Sequence, residues 1–513
     1  MIEAGGGRPL LVVLFLASAL QKLCNNYEGL TKVLVRGHLA GPTEGGGLGL
    51  GPAAAGAFLT AAALGYYIKP MFGLVTDRLP VFGYRRRSWL VIASLATSAA
   101  WVWVAVGGAA AFAPLLAALL VVNVTVTFSD VVCDGLMVQS GKEAERDGLA
   151  AAGTGNRPLQ VAQWAGALGA MLVAAVAGGL LARYATLSQA AWASAGLPLV
   201  TAAAAFVLIR EERVAWDWRA ARGGFAAIGL AAAIGAAVLA LKHYSPGTPL
   251  AVIEPFLTPA IVLGGVLLVA RVPRSILAPA VLVIAWPCLP FKADSQYFFH
   301  YITRDNTDFV AALGSDAGVP GAVRGALALV GLDAGDDVGG FAQLFYGSAF
   351  LAVELVVGIA GLAVLGLYGG KVPLRWLLAG CLVGWAVALA AYAGLPSQAS
   401  PGYLLGCAVL SGLATWVGST AVLFYAASRI PDEGPGGQAT VFALLMGLSN
   451  LGGLFGVETV GGKLYQGFAD ADGPDAGLRA VLVASAAYLV VLGGVLAWLA
   501  RRGELDPAGP ARG

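Results

Sequence analysis

Apolar runs of about 20 residues recur along almost the whole chain, separated by short segments rich in Gly, Pro, Asp and Arg. Each run is long enough to cross a bilayer as a helix. The windows fall near 9 to 36, 53 to 75, 88 to 108, 112 to 139, 151 to 182 and 189 to 209, then 223 to 242 and 250 to 270. Six more lie near 275 to 301, 339 to 367, 374 to 394, 402 to 428, 438 to 464 and 478 to 500. The pattern predicts an all-α polytopic membrane protein of about 14 spans. The order six, two, six divides it into a six-helix bundle over 1–210, a cytoplasmic linker with an inserted transmembrane hairpin over 211–273, and a second six-helix bundle over 274–513.

The polar breaks orient these spans. Lys69 to Arg87 reads KPMFGLVTDRLPVFGYRRR, a short basic loop between two apolar runs, and such loops stay in the cytoplasm. With the N-terminus inside, Arg8, Arg78, Arg85 to Arg87, Lys142, Arg146, Arg210, Arg213, Arg219, Arg222, Arg271, Arg274, Lys371, Arg375, Arg429, Arg501 and Arg502 all fall on the inner side. The acidic stretch 302–338, with Asp305, Asp308, Asp316, Asp333, Asp336 and Asp337, falls outside. Both termini are therefore expected in the cytoplasm. The first apolar run has no small-residue cleavage site after it and reads as a retained span. Without a transit-like segment, the cell (inner) membrane is the expected location.

Composition agrees with the pattern. Apolar residues make up 58% of the chain and charged residues 12%, with mean hydropathy +0.79, too little polar surface for a water-soluble globule. A net charge of +2 offers no basic face for nucleic acid, so the bilayer is the expected large partner. The cysteines Cys24, Cys133, Cys288, Cys381 and Cys407 lie in or beside apolar runs without CxxC spacing and read as apolar fillers. The three histidines form no HExxH, and the 72 glycines include no loop ending in GK[ST]. Neither an enzyme nor an ATP-driven pump is expected, and no cofactor.

Gly73, Asp77, Arg78, Gly83 and Arg85 to Arg87 resemble the loop signature of the major facilitator superfamily. The longer gap LPVF between Asp-Arg and Gly resembles the folate-biopterin transporter family. DVVCDG (Asp130 to Gly135), the Pro-rich run with Phe298 and Phe299, and GLSNLGG (Gly447 to Gly453) are similar to that family's fourth, seventh and eleventh spans. The inserted pair departs from its usual twelve-span plan. The resemblance implies a secondary transporter with two bundles around a central cavity, moving a small anionic organic solute, folate or pterin-like, by alternating access with protons. It also leaves room for an exporter of amphipathic compounds, or for a non-transporting factor in membrane-complex assembly.

Physics gives the loop a gating role. Asp77 at the inner end of the second span can accept charge-assisted hydrogen bonds from nearby arginines or from another helix's N-terminus, and Gly73, Arg78, Gly83, Arg85 and Arg86 are read as gating residues with it. An anchor alone would need the arginines but not Asp77, Gly73 or Gly83.

Ionisable residues inside spans are costly and mark function by default. Lys22, with Gln21, Asn25 and Asn26, lies on the first span, which the superfamily fold would turn toward the cavity. It is read either as a contact for the solute or as the partner of a fixed carboxylate such as Asp130. Asp130 and Asp134 share one face of the fourth span: Asp130 is read as a proton-coupling or substrate-binding group, Asp134 as a coupling group or as a gating ion-pair partner of Arg78, Arg85 or Arg157, with Arg157 a partner candidate for either. Pro287 and Pro290 break the seventh span, and Lys292, Asp294 and Gln296 follow as solute contacts. Phe298, Phe299 and Tyr301 read as an interface belt or as stacking partners. The tenth span offers Trp416 as a contact beside Ser411, Thr415, Ser419 and Tyr425. Lys69 reads as snorkelling to headgroups, and Glu354 and Glu458 as single buried acids.

Overall fold

Helices carry nearly all the backbone of the computed structural model, which describes residues 7–148, 157–244, 257–258, 260–262, 264, 277–315, 318–329, 337–368, 372–398, 400–428 and 437–505. Ten helices among these are long and apolar enough to cross a membrane. They include the third span (Arg87–Gly108), the sixth (Leu187–Leu208), the ninth (Leu374–Ala393) and an inserted helix (Trp218–Tyr244). The fourth span is Phe112–Arg146, the fifth Arg157–Tyr184, the eighth runs from Val338 to Tyr368, and the tenth is Pro401–Ser428. The eleventh runs from Gly437 to Asp472, and the twelfth is Pro474–Arg501. The window expected near 250 to 270 lies largely outside the described residues, so the expected fourteen spans are not reached among them.

Three spans are interrupted. The seventh breaks where its prolines predict: Leu277–Ala285, a tight turn Trp286–Cys288, then Gln296–His300 after an extended stretch. The second is split at Ala63 and Ile68 into Pro52–Ala62, Leu64–Tyr67 and Lys69–Arg78. The first, expected as one helix over 9 to 36, stops at Cys24 and resumes only at Lys32. No proline marks that break. Asn25 and Gly29 close it locally, with the Tyr27 amide donating to Asn25 Oδ1 at 2.5 Å and the Gly29 amide to Asn25 O at 2.9 Å. Irregular backbone at membrane depth is tolerated only where it lines a cavity or packs in protein, so the breaks point to a site.

The two halves are in close contact at the end away from the Asp77 loop, here the far end. A Cβ on Gly347 of the eighth span would lie 2.8 Å from Gly179 Cα in the fifth, and one on Gly37 would lie 2.9 Å from Gln343 Oε1. Ser348 Oγ donates to Val176 O at 2.7 Å, Arg304 donates to Ala40 O, and Arg183 faces Asp337 at 4.0 Å. Small residues allow this approach of backbones, as is usual between membrane helices. The same device joins the seventh and eleventh spans, where Gly452 and Gly456 lie against the carbonyls of Ile284 and Cys288. The segment 302–338, read as one polar loop, instead carries short helices Thr307–Leu313 and Gly318–Leu329 among its described residues.

The inserted helix packs along the second span, not away from it. Gly223 lies under the Arg78 guanidinium and Gly224 under the Leu79 side chain. The linker before it is tied down too. The Val214 amide donates to Gly83 O at 2.8 Å, and the Glu211 carboxylate accepts the backbone amides of Arg85, Arg86 and Arg87 at 2.8 to 3.2 Å. Those amides open the third span, so Glu211 puts negative charge where a helix N-terminus favours it.

Candidate functional site

The basic loop turns on two residues. Phe82 has φ 52° and Gly83 φ 83°, and Val81 and Tyr84 exchange backbone hydrogen bonds at 2.9 and 3.1 Å, the geometry of a two-residue hairpin turn. Glycine is needed at 83 for that positive φ. The turn brings Arg86 back onto the second span, where it donates to Asp77 and, at 2.5 Å, to Thr76 Oγ1. Arg86, not Arg78 or Arg85, is thus the partner of Asp77. Arg78 is exposed and rests on the inserted helix; Arg85 offers its amide to Glu211. Gly73 is buried and its carbonyl accepts from Thr76 Oγ1 at 3.1 Å. A Cβ on Gly135 of the fourth span would lie 2.7 Å from Arg86 Cζ, so the DVVCDG glycine leaves room for the guanidinium. Gly135→Leu is therefore expected to push Arg86 off Asp77 and cut transport rate at least about tenfold, as steric misplacement of a positioned group does. Uptake by reconstituted protein measures this, and an unchanged rate would refute it.

Between the halves lies a cavity of about 370 Å³. Its walls carry Lys22, Arg36, Lys69 and Lys292 as cations and Glu28, Asp130, Asp134, Asp294 and Glu458 as acids. The lysines are already partnered. Lys22 pairs with Glu28, Lys69 Nζ with Asp130 Oδ2 at 2.6 Å, and Lys292 Nζ with Asp294 Oδ1 at 3.1 Å. Two further pairs join the halves: Lys32 Nζ reaches Asp294 Oδ2 at 3.3 Å, and Arg36 Nη2 lies 3.6 Å from Glu458 Oε1. Glu458 also accepts the Gln296 amide, at 3.2 and 3.3 Å, and so caps the helix that follows the break in the seventh span. It sits in the π-helical turn Phe455–Gly461, a kind of irregularity common at functional sites.

Of the residues expected to meet the solute, Lys22, Asn25, Asp130, Lys292 and Asp294 share the cavity wall. Asn26 and Gln296 are buried behind it, and the Gln296 side chain donates to Arg36 O at 3.4 Å. Trp416 lies off the cavity with its ring against Gly358 of the eighth span; Thr415 and Ser419 line it instead. Asp134 accepts from Gln163 at 3.0 Å. The side chain of Arg157 lies outside the described residues. Phe298, Phe299 and Tyr301 are fully buried in the core of the second half, so they form neither a belt nor a stacking wall. Lys69, 3% exposed, is held by Asp130 and does not snorkel.

Glu28, Lys32 and Arg36 were missed because the first span was read as an unbroken helix. Their spacing of four within an apolar window was the available signal.

Two bundles packed face to face around a charged, buried cavity, with interrupted helices at its level, define a membrane transporter of the major facilitator type. The protein spans the membrane many times and is not an enzyme. Residues 45–492 match the BT1 family, and the chain belongs to that family. It is 28% identical over 428 residues to a folate-biopterin transporter of Synechocystis sp., covering 80% of this chain and 67% of that one. Among solved structures, a POT family transporter in complex with 5-aminolevulinic acid superposes with TM-score 0.66 at 11% identity, covering 96% of each chain. The peptide transporter POT in complex with sulfate gives TM-score 0.62 at 15% identity over 97% of this chain and 96% of that one. The nucleoside transporter NupG gives 0.54 at 12% over 95% and 98%. These three share the fold.

Proposed function

We propose that the protein is a secondary transporter that moves a folate- or pterin-like organic anion across the cell membrane by alternating access, together with protons. The observation that carries this reading is the cavity itself. It lies between the halves, its size suits a small organic molecule, and its wall mixes paired charges with the rings of Tyr27, Tyr66, Trp164, Trp286, Phe291 and Trp385. Flat heterocycles stack on such rings. The folate-biopterin transporter relative supports the substrate class.

Charge sets a condition on this reading. The wall holds more acids than cations, so a solute carboxylate competes with Glu28 for Lys22 and with Asp294 for Lys292. Binding is then an exchange of partners. Asp130 and Asp134, one helical turn apart on the cavity wall, are the groups through which protons would couple. The basic loop 69–87 supports cytoplasmic termini.

Uptake of labelled folate and biopterin into proteoliposomes, with and without an inward proton gradient, tests the reading. Accumulation driven by the gradient is expected. Lys22→Ala and Lys292→Ala should each lower folate uptake about tenfold while the protein still inserts. Normal uptake by both variants would remove the two lysines from the carboxylate site.

A further inference from the structure

We infer that Arg36 is the residue that grips a carboxylate of the solute, ahead of the cavity lysines. The inference rests on the proposed organic-anion reading and assigns its anion subsite.

Arg36 opens onto the cavity from the helix Lys32–Ala40 and is only 4% exposed. Its Nη1 is buried with no hydrogen-bond partner. Among the described residues, the acid within 4.0 Å of it is Glu458, at 3.6 Å from Nη2, which is an ion pair by charge but too long for a hydrogen bond. Glu458 itself is occupied by the Gln296 amide. Electrostatic attraction thus holds the guanidinium in place while leaving donor capacity unused.

The lysines differ. Lys69 stands 2.6 Å from Asp130, Lys292 3.1 Å from Asp294 and Lys32 3.3 Å from Asp294, and Lys22 is bonded to Glu28. Each already spends a donor and most of its charge on a resident acid. Arg36 keeps a buried donor, Nη1, that is not hydrogen-bonded. A buried donor without a partner is costly, and an incoming acceptor recovers that cost. The planar fork of an arginine also matches the two oxygens of a carboxylate better than a lysine point charge does. The ligand class is therefore an organic carboxylate whose acidic end enters first toward the far end of the cavity, with its ring left toward Trp164 and Trp286.

Binding of three probes to the purified full-length protein in nanodiscs tests this. Folate carries ring and carboxylates, p-aminobenzoylglutamate the carboxylates without the pterin, and biopterin the ring without a carboxylate. Arg36→Gln is expected to weaken folate and p-aminobenzoylglutamate at least about tenfold and to leave biopterin unchanged. Because that variant leaves Glu458 without its cation, Arg36→Gln/Glu458→Gln is measured beside it, with thermal unfolding of both. The double variant should show the same selective loss at wild-type stability. Equal loss for all three probes would make Arg36 a gating residue only, and no loss would leave it without a role; either overturns the inference. Wild-type protein that binds biopterin but neither carboxylate would overturn the organic-anion reading and the role of Arg36 together. Wild-type protein that binds folate, with the double variant binding it equally well, would overturn the role of Arg36 alone.

Discussion

Asp294→Asn should lower the thermal stability of the purified protein and abolish transport. Asp294 holds two lysines, Lys292 from its own half at 3.1 Å and Lys32 from the other half at 3.3 Å. Lys32 has little water to fall back on, its side chain being 11% exposed, whereas Lys292 at 41% remains solvated by the cavity. Stripping the acid from a buried pair costs about 3 to 5 kcal/mol, and the wet Lys292 reduces this to roughly 2 to 4 kcal/mol here. Removing the buried cation as well, in Lys32→Gln/Asp294→Asn, should recover most of the stability but not the transport, because the contact between halves is still gone. Unfolding midpoints in detergent and uptake in proteoliposomes read the two effects separately. An Asp294→Asn protein with wild-type midpoint would mean that the lysines find other partners.

Gly179→Val carries the second large effect, by an entirely different route. A side chain at this position meets Ser348 N at 2.6 Å and Leu344 O at 2.9 Å, backbone atoms of the opposite half that cannot turn aside. Overpacking of this kind costs about 1 to 3 kcal/mol, all of it charged to the arrangement in which the far end is shut. In the proposed alternating-access cycle that cost shifts the balance toward a far-end-open state by about 5- to 150-fold. Spin labels at the exposed Glu44 and Asp472, on opposite halves at the far end, should then report a new, longer distance, and uptake should fall. Gly179→Ala should do the same to a smaller degree. Wild-type distances with wild-type uptake in the valine variant would show that the Gly179 contact is not part of the cycle.

Much of the fold was legible because membrane helices declare themselves by length and apolarity alone, and prolines 287 and 290 announced the break in the seventh span. The break in the first span was not legible. Asn25, Asn26 and Gly29 are compatible with a helix, and only the closure of the Asn25 turn against Tyr27 and Gly29 reveals otherwise. Of the site, Lys22, Asp130, Lys292 and Asp294 were findable because a charge inside an apolar run stands out. Their partners were less so, since Lys32 and Asp294 are 262 positions apart and no local pattern links them. Trp416 shows the opposite error: on a helix without strong polarity, one residue of rotation separates the cavity from the eighth span.

The inserted helix also changes what the two halves are as physical bodies. Seated on Arg78 and Leu79 through Gly223 and Gly224, and preceded by a linker clamped at Gly83 and at the Arg85 to Arg87 amides, it belongs to the first half. Its outer flank leaves Trp218, Phe225 and Ile228 exposed, an apolar surface of the kind that lipid covers. In the proposed alternating-access cycle this helix would therefore move with the second span and with the Asp77 loop, so the loop and the inserted helix would shift as one unit.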